Sequence, residues 1–205
     1  MINRTIKAHF NLKKNNELYL EGNNIILNEI MNNYISQVIK IDEKYSPFKI
    51  IDLEGDRKSG YLKTLKLNNN YKINVSGIID RVDFKNDTFR VIDYKTGGDI
   101  KNIKSVESLF SNKKKDRNDA VFQLFFYSIL LKNKFNLSHK IVPGLMNIRD
   151  INKDNFSINV SIKNKKIEDV NPYLEEFESL LIKKLSEIFD IDKPFTENDD
   201  IDSCT

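Results

Sequence analysis

The chain has one cysteine, Cys204, among 205 residues, which excludes an internal disulfide framework and any all-cysteine metal site. No apolar run approaches the length of a transmembrane helix, and no signal-peptide pattern opens the sequence. The default expectation is therefore a cytoplasmic protein without a membrane partner. There is no Gly/Ser-rich linker and no internal repeat, so residues 1–205 read as one domain. It opens with an irregular polar segment, 1–22, and closes with an acidic tail, 192–205. Strong charge of either sign is also missing. The net charge of +3 and pI near 8.7 permit a nucleic-acid partner without requiring one. What remains, 40% hydrophobic and 31% charged residues, suits a globular chain with a real core.

The most informative stretch runs from Gly77 to Gly97. Two β-type runs, Gly77–Phe84 and Phe89–Lys95, flank Asn86-Asp87, a hairpin signal. With those two residues as the turn, Lys85 pairs with Thr88 and Phe84 with Phe89, and Asp80 falls opposite Asp93. Side chains alternate along a strand, so Asp80, Asp93 and Lys95 leave the same face as Val82, Phe84, Phe89 and Val91. The apolar stripe thus becomes charged at one end. Two facing carboxylates repel unless a cation lies between them, which makes the hairpin a candidate divalent-metal site with an ammonium beside it. A solvated strand end is the structural alternative. Arg81 alternates to the opposite face and reads as structural rather than as a phosphate contact.

Around the hairpin the pattern is mixed. Apolar residues recur at helical spacing from Asn24 to about Lys40, with Asn23 or Asn24 as cap. Strands are expected at Phe48–Leu53 and Tyr61–Leu67, and Tyr71–Phe84 and Thr88–Lys95 complete an antiparallel meander. Residues 99–118 are polar and read as a loop. Its Lys113–Arg117 run is either solvated or in contact with phosphates. A strongly apolar helix follows, about Asp119 to Lys132. Strands are expected near Lys140–Ile148 and Phe156–Ile162. Asn171-Pro172 then opens a last helix, Asn171 as cap and Pro172 at its first position. Its buried stripe would be Tyr173, Leu174, Phe177, Leu180, Leu181, Leu185 and Ile188.

The apolar helix carries Gln123 and Tyr127, four residues apart and on one face. A glutamine there must find a partner or lose its hydration uncompensated. It either bonds a backbone group within the core or belongs to a site.

Gly77-Ile78-Ile79-Asp80-Arg81, then Asp93-Tyr94-Lys95, then Gln123-x-x-x-Tyr127 resembles the PD-(D/E)XK nuclease superfamily, in particular its RecB/AddB-like branch. The matching region covers about Lys49 to Leu131. The resemblance implies an α/β restriction-endonuclease-like core, a central mixed β-sheet flanked by helices. It implies metal-dependent hydrolysis of DNA phosphodiesters, exonuclease rather than endonuclease, in recombinational repair beside a helicase domain or subunit. Asp80, Asp93 and the Tyr94 carbonyl would ligate Mg2+ (or Mn2+). Lys95 would position or deprotonate the attacking water, and Gln123 and Tyr127 would orient the strand or the groups behind the site. A catalytically weak or inactive DNA-binding scaffold of the same fold is the second reading. A restriction- or CRISPR-associated nuclease would keep the chemistry and change the partner.

The resemblance also implies a further ligand, often a histidine, on a helix ahead of the sheet. His139 follows the Gln123 helix and is misplaced for this role; His9 lacks a helical context and reads as a surface residue. Glu54, closing the first strand, is either a ligand or a turn residue. Phe195 to Cys204 resembles the lead-in to a C-terminal cysteine cluster, but an iron–sulfur centre is not possible within this chain alone. The expectation is a fragment of a longer helicase–nuclease-like protein, with a complete small protein whose N-terminus has worn down as the alternative.

Overall fold

A computed structural model describes residues 23–55, 60–67, 71–135 and 138–195. The chain divides into two compact units, Met1–Pro47 with Ile151–Asp154, and Phe48–Asp150 with Asn155–Thr205. The described part of the first unit is dominated by helix α1, Asn23–Tyr45. It runs past the expected Lys40 because nothing breaks it before Ser46-Pro47. The residue ahead of a proline is pushed out of helical geometry.

The second unit is built on a four-stranded sheet. Its strands are β1 (Lys49–Leu53), β4 (Arg81–Lys85), β5 (Thr88–Lys95) and β7 (Lys140–Asn147), in the order β1-β4-β5-β7. The β1/β4 and β4/β5 pairs are antiparallel and β5/β7 is parallel, so the expected mixed sheet is present. A parallel pair needs a long crossover. Here it carries helix α2, Asp119–Phe135. Helix α2 is apolar nearly all round, as a buried helix must be. Val121, Leu124, Phe125, Leu130 and Leu131 are fully buried, joining Val82, Val91, Ile141 and Leu145 of the sheet in one core. Helix α3, Asn171–Ile188, adds Leu174, Phe177 and Leu181, while Ile188 is exposed.

The expected meander is not one sheet. Strands β2 (Tyr61–Lys66) and β3 (Lys72–Gly77) form a separate two-stranded sheet. The long run Tyr71–Phe84 breaks at Ile78–Asp80, and β1 pairs with β4 rather than with β2. Alternation reads the same whichever strand is the partner, so the sequence pattern could not separate these pairings. The turn expected at 68–70 lies outside the described residues.

The segment 99–118 is also more than a loop. It contains β6 (Asn102–Ile103) and a 3₁₀ turn, Glu107–Phe110, anchored by buried Ile103, Val106 and Leu109. Strand β6 pairs with β8 (Ser161–Ile162), and β8 pairs with β9 (Lys165–Lys166). The expected strand at 156–162 shortens to β8. Ahead of it the chain only touches β7, through a Gly144–Asn159 bridge and the Leu145 N–H donating to the Ile158 carbonyl. Nor does Asn171 cap α3. Its Nδ2 donates to the His139 carbonyl, and Asp169 Oδ1 accepts from the Asn171 and Ile141 N–H groups instead.

Candidate active site

Hairpin β4–β5 has the register the sequence implies. Phe84 pairs with Phe89, Lys85 with Thr88, and Arg81 with Ile92. The turn residues Asn86 and Asp87 both have positive φ, +48° and +59°. That geometry matches the twist of the flanking strands, and Asn and Asp tolerate it. Asp80 lies one residue before β4, where the ladder has ended. Its Oδ2 accepts the Tyr94 N–H at 2.9 Å, so it crosses to β5 at the residue that follows Asp93. The Asp80 carbonyl in turn accepts the Glu54 N–H at 2.7 Å, tying the end of β1 to the same point.

Asp93 is the deepest of these groups, 1% exposed, at the end of the buried run of β5. Burial pushes its carboxyl up to about 6, against the pull of Lys95; the charges of Asp80 and Asp99 add to the rise. Its Oδ2 lies 3.0 Å from Lys95 Nζ, close enough for an ion pair but without the alignment of a hydrogen bond. That oxygen is buried with no hydrogen-bond donor. Lys95 Nζ spends its aligned bond on Gln123 Oε1, at 2.7 Å, and Gln123 Nε2 donates to Tyr127 Oη at 2.6 Å. The glutamine therefore finds its partners in the site rather than on the backbone. It links the lysine of β5 to the tyrosine one turn further along α2. Burial raises the Tyr127 phenol above its usual range, so it stays protonated at neutral pH.

Gly77 explains its own place in this arrangement. A Cβ there would meet Tyr127 Cε1 at 3.0 Å and Leu130 Cδ1 at 3.2 Å. The bare glycine lets the tyrosine ring settle against the end of β3. Asp80, Asp93, Lys95, Gln123 and Tyr127 thus come together through three connections that no local pattern contains: the Asp80 bond to β5, the Lys95 bond to α2, and the Gly77 contact with Tyr127.

A family-level comparison decides what this assembly belongs to. The model of the PD-(D/E)XK nuclease superfamily matches residues 8–205. The chain belongs to the PD-(D/E)XK nuclease superfamily. A search of curated proteins finds no match. Membership implies a nuclease-type chain whose relatives generally act on DNA and generally use a divalent metal. Among the described residues, no group of three or more His, Cys, Asp or Glu side chains stands close enough to hold a metal ion. Among the described residues, the carboxylates of Asp80 and Asp93 and nearby backbone carbonyls are what this PD-(D/E)XK chain offers at the end of the hairpin. The buried Asp93 Oδ2, which accepts no aligned hydrogen bond and has only the Lys95 ammonium against it, is the observation that fits a cation, since a buried carboxylate oxygen is costly to leave under-satisfied.

His139 Nε2 contacts Asp87 Oδ1 at 3.0 Å, at the turn end of the hairpin, and its ring packs edge-on against Phe84 and Phe89. His9 lies outside the described residues. Glu54 adopts positive φ, +54°, followed by Gly55 at +54°, and its N–H donates to the Asp80 carbonyl, so it occupies a turn next to Asp80. In the Lys113–Arg117 run, Asp116 pairs with Lys104 at 2.7 Å and Arg117 with Asp119 at 2.7 Å. A groove of about 970 Å3 lies between β2, α2 and α3, yet none of the site residues lines it.

Behind the site lies a buried network that the motifs did not single out. On the opposite face of the hairpin, Asp83 is fully buried. It accepts from Arg81 Nε at 2.8 Å and from Arg90 Nε at 3.1 Å. Arg81 Nη1 reaches Tyr94 Oη at 3.1 Å, and both guanidiniums lie over the Phe48 ring. The structural role expected for Arg81 is what the geometry shows. The register legible in the sequence already pairs Asp83 with Arg90, so this network had a signal.

Proposed function

We propose that the chain is a metal-dependent deoxyribonuclease whose reaction centre is Asp80, Asp93 and Lys95. The observation that carries this reading is the buried Asp93 oxygen without an aligned hydrogen bond, beside Asp80 and within 3.0 Å of a lysine. Asp80, Asp93 and the Tyr94 carbonyl would hold Mg2+ or Mn2+, hard cations that take oxygen ligands and keep several waters. When bound, such an ion supplies a more acidic water and offsets charge developing on the phosphate.

The chain's own residues do the rest. Asp80 and Asp93 concentrate negative charge where β4 begins and β5 ends, on the two inner strands of the sheet. Lys95 Nζ, directed by Gln123 Oε1, holds a proton where the attacking water and a phosphate oxygen meet. Tyr127 keeps Gln123 oriented, and the buried Arg81–Asp83–Arg90 network keeps β4 and β5 in register behind it. Gln123 and Tyr127 thus act through Lys95 rather than on the strand directly. DNA as substrate and exonuclease action beside a helicase domain or subunit in recombinational repair are supported by the RecB/AddB-like motif trio, and a cytoplasmic location is the default that goes with this reading. No described helix is long and apolar enough to cross a membrane. The second reading, a weak or inactive DNA-binding scaffold, is favoured by one observation: the described residues supply no third acidic or histidine ligand.

Two measurements separate these readings. Titration of the chain with Mn2+ by calorimetry should give a binding heat that the Asp80→Asn/Asp93→Asn double variant loses. Mg2+-dependent cleavage of a fluorescent oligonucleotide should vanish in Lys95→Ala while circular dichroism stays unchanged. Metal binding that survives the double substitution would show that the site is misplaced. Metal and DNA binding without cleavage by the unmodified chain would favour the scaffold.

A further inference from the structure

Lys95 is followed by Thr96-Gly97-Gly98-Asp99, a short exposed segment leaving the charged end of β5. Strand β7 ends beside it, because Asn147 pairs with Lys95 in the parallel register. Asn147 is 1% exposed, and its Nδ2 donates to the Asp99 carbonyl at 2.7 Å. The amide thereby clips the far end of the glycine segment to the sheet. Two residues on, Arg149 lies across Gly98 so closely that a Cβ there would come within 1.9 Å of Nη2 and 2.8 Å of Cζ. A side chain at 98 would displace the guanidinium from this position. Arg149 is exposed, and no carboxylate among the described residues pairs with it. The Asp99 carboxylate, which lies near Gly97, does not engage it.

An exposed guanidinium lying over a side-chain-free backbone, unpaired, on the residue two beyond the Asn147 partner of Lys95, has the form of an oxyanion fork. Neighbouring phosphates on a nucleic-acid strand carry oxyanions of matching geometry. We propose that Arg149 is a strand clamp: it grips a phosphodiester adjoining the one positioned at Lys95, with Gly98 as the platform that aims it. This assignment rests on the nuclease reading, and it adds a substrate-binding residue that lies outside the three motifs. The clamp sets how tightly and in which register the strand lies. It takes no part in the bond-breaking step.

The test uses the full chain and a fluorescein-labelled oligonucleotide, with binding followed by anisotropy in Ca2+ and cleavage in Mg2+, each across a KCl series. Arg149→Ala should raise Kd and KM by about tenfold, leave kcat within about twofold, and flatten the salt dependence by about one phosphate contact. Arg149→Lys should recover part of the affinity, because it keeps the charge and loses the fork. Gly98→Ala should weaken binding with Arg149 still present, since the new methyl displaces the guanidinium. Wild-type cleavage with unchanged KM and salt slope in Arg149→Ala would overturn the clamp and leave the nuclease reading standing. A loss confined to kcat would overturn it too. Wild-type protein that neither binds nor cuts the strand would remove both.

Discussion

Replacing Asp93 by asparagine should stabilise the metal-free protein while destroying its proposed activity. The carboxyl is 1% exposed, and burial raises it from the usual 3.8 to about 6. A native state that holds this proton more tightly than the unfolded chain loses stability as pH rises through that window. The loss begins near 4 and is complete somewhat above 6. At about 1.4 kcal/mol per pH unit, the ionised side chain costs the fold about 3 kcal/mol at neutral pH and above. Asparagine has nearly the same shape and no charge, but it deprives Lys95 of an ion-pair partner, leaving Gln123 Oε1. A net gain of about 1–2 kcal/mol is expected, which for a chain of this size is about 3–6 °C in Tm.

The assay is thermal unfolding in EDTA, followed by circular dichroism at pH 8 and again at pH 4.5. The variant should melt higher at pH 8, and the gap should shrink markedly at pH 4.5, where the native aspartate is protonated. Saturating Mg2+ should then narrow the gap at pH 8 by stabilising only the aspartate form. A variant that melts at or below the wild-type temperature at pH 8 would refute the reasoning, as would a gap that ignores pH. The first result would mean that Asp93 is satisfied without a cation.

Further outcomes follow from neighbouring groups. Asp83→Ala should cost about 3–5 kcal/mol in urea unfolding, because it leaves the Arg81 and Arg90 guanidiniums buried without their shared carboxylate; a cost below about 1 kcal/mol would deny the network its role. Gln123→Ala should lower cleavage by about ten- to a hundredfold with little change in Tm, as loss of a group that orients a reacting one does. An unchanged kcat there would mean that Lys95 needs no orienting partner.

The hairpin was legible because its information is local. Asn86-Asp87 sets the turn, alternation sets the faces, and the Asp80, Asp93 and Lys95 positions follow from counting. Helix α2 was legible from composition, since a helix apolar all round has to be buried. The β2–β3 pair was misjudged for the opposite reason. Tyr61 ends fully buried, donating to Asp52 Oδ2 at 2.6 Å, yet nothing near either residue tells whether β2 lies beside β1 or apart from it. The Asn171 cap failed because a side chain with several possible acceptors chose one from β7's approach, the His139 carbonyl.

By itself, then, the sequence determined which residues share a strand face or a helix face, and through its three motifs which family the chain resembles. Periodicity and turn chemistry act over a few residues and need no partner. Tertiary structure alone decided what those faces meet. It placed Gln123 between Lys95 and Tyr127, crossed Asp80 to the Tyr94 N–H, buried Asp93 deeply enough to raise its carboxyl, and laid Arg149 over Gly98. Each depends on segments distant along the chain arriving within about 3 Å of each other, and hydrogen bonding and desolvation act only at that range.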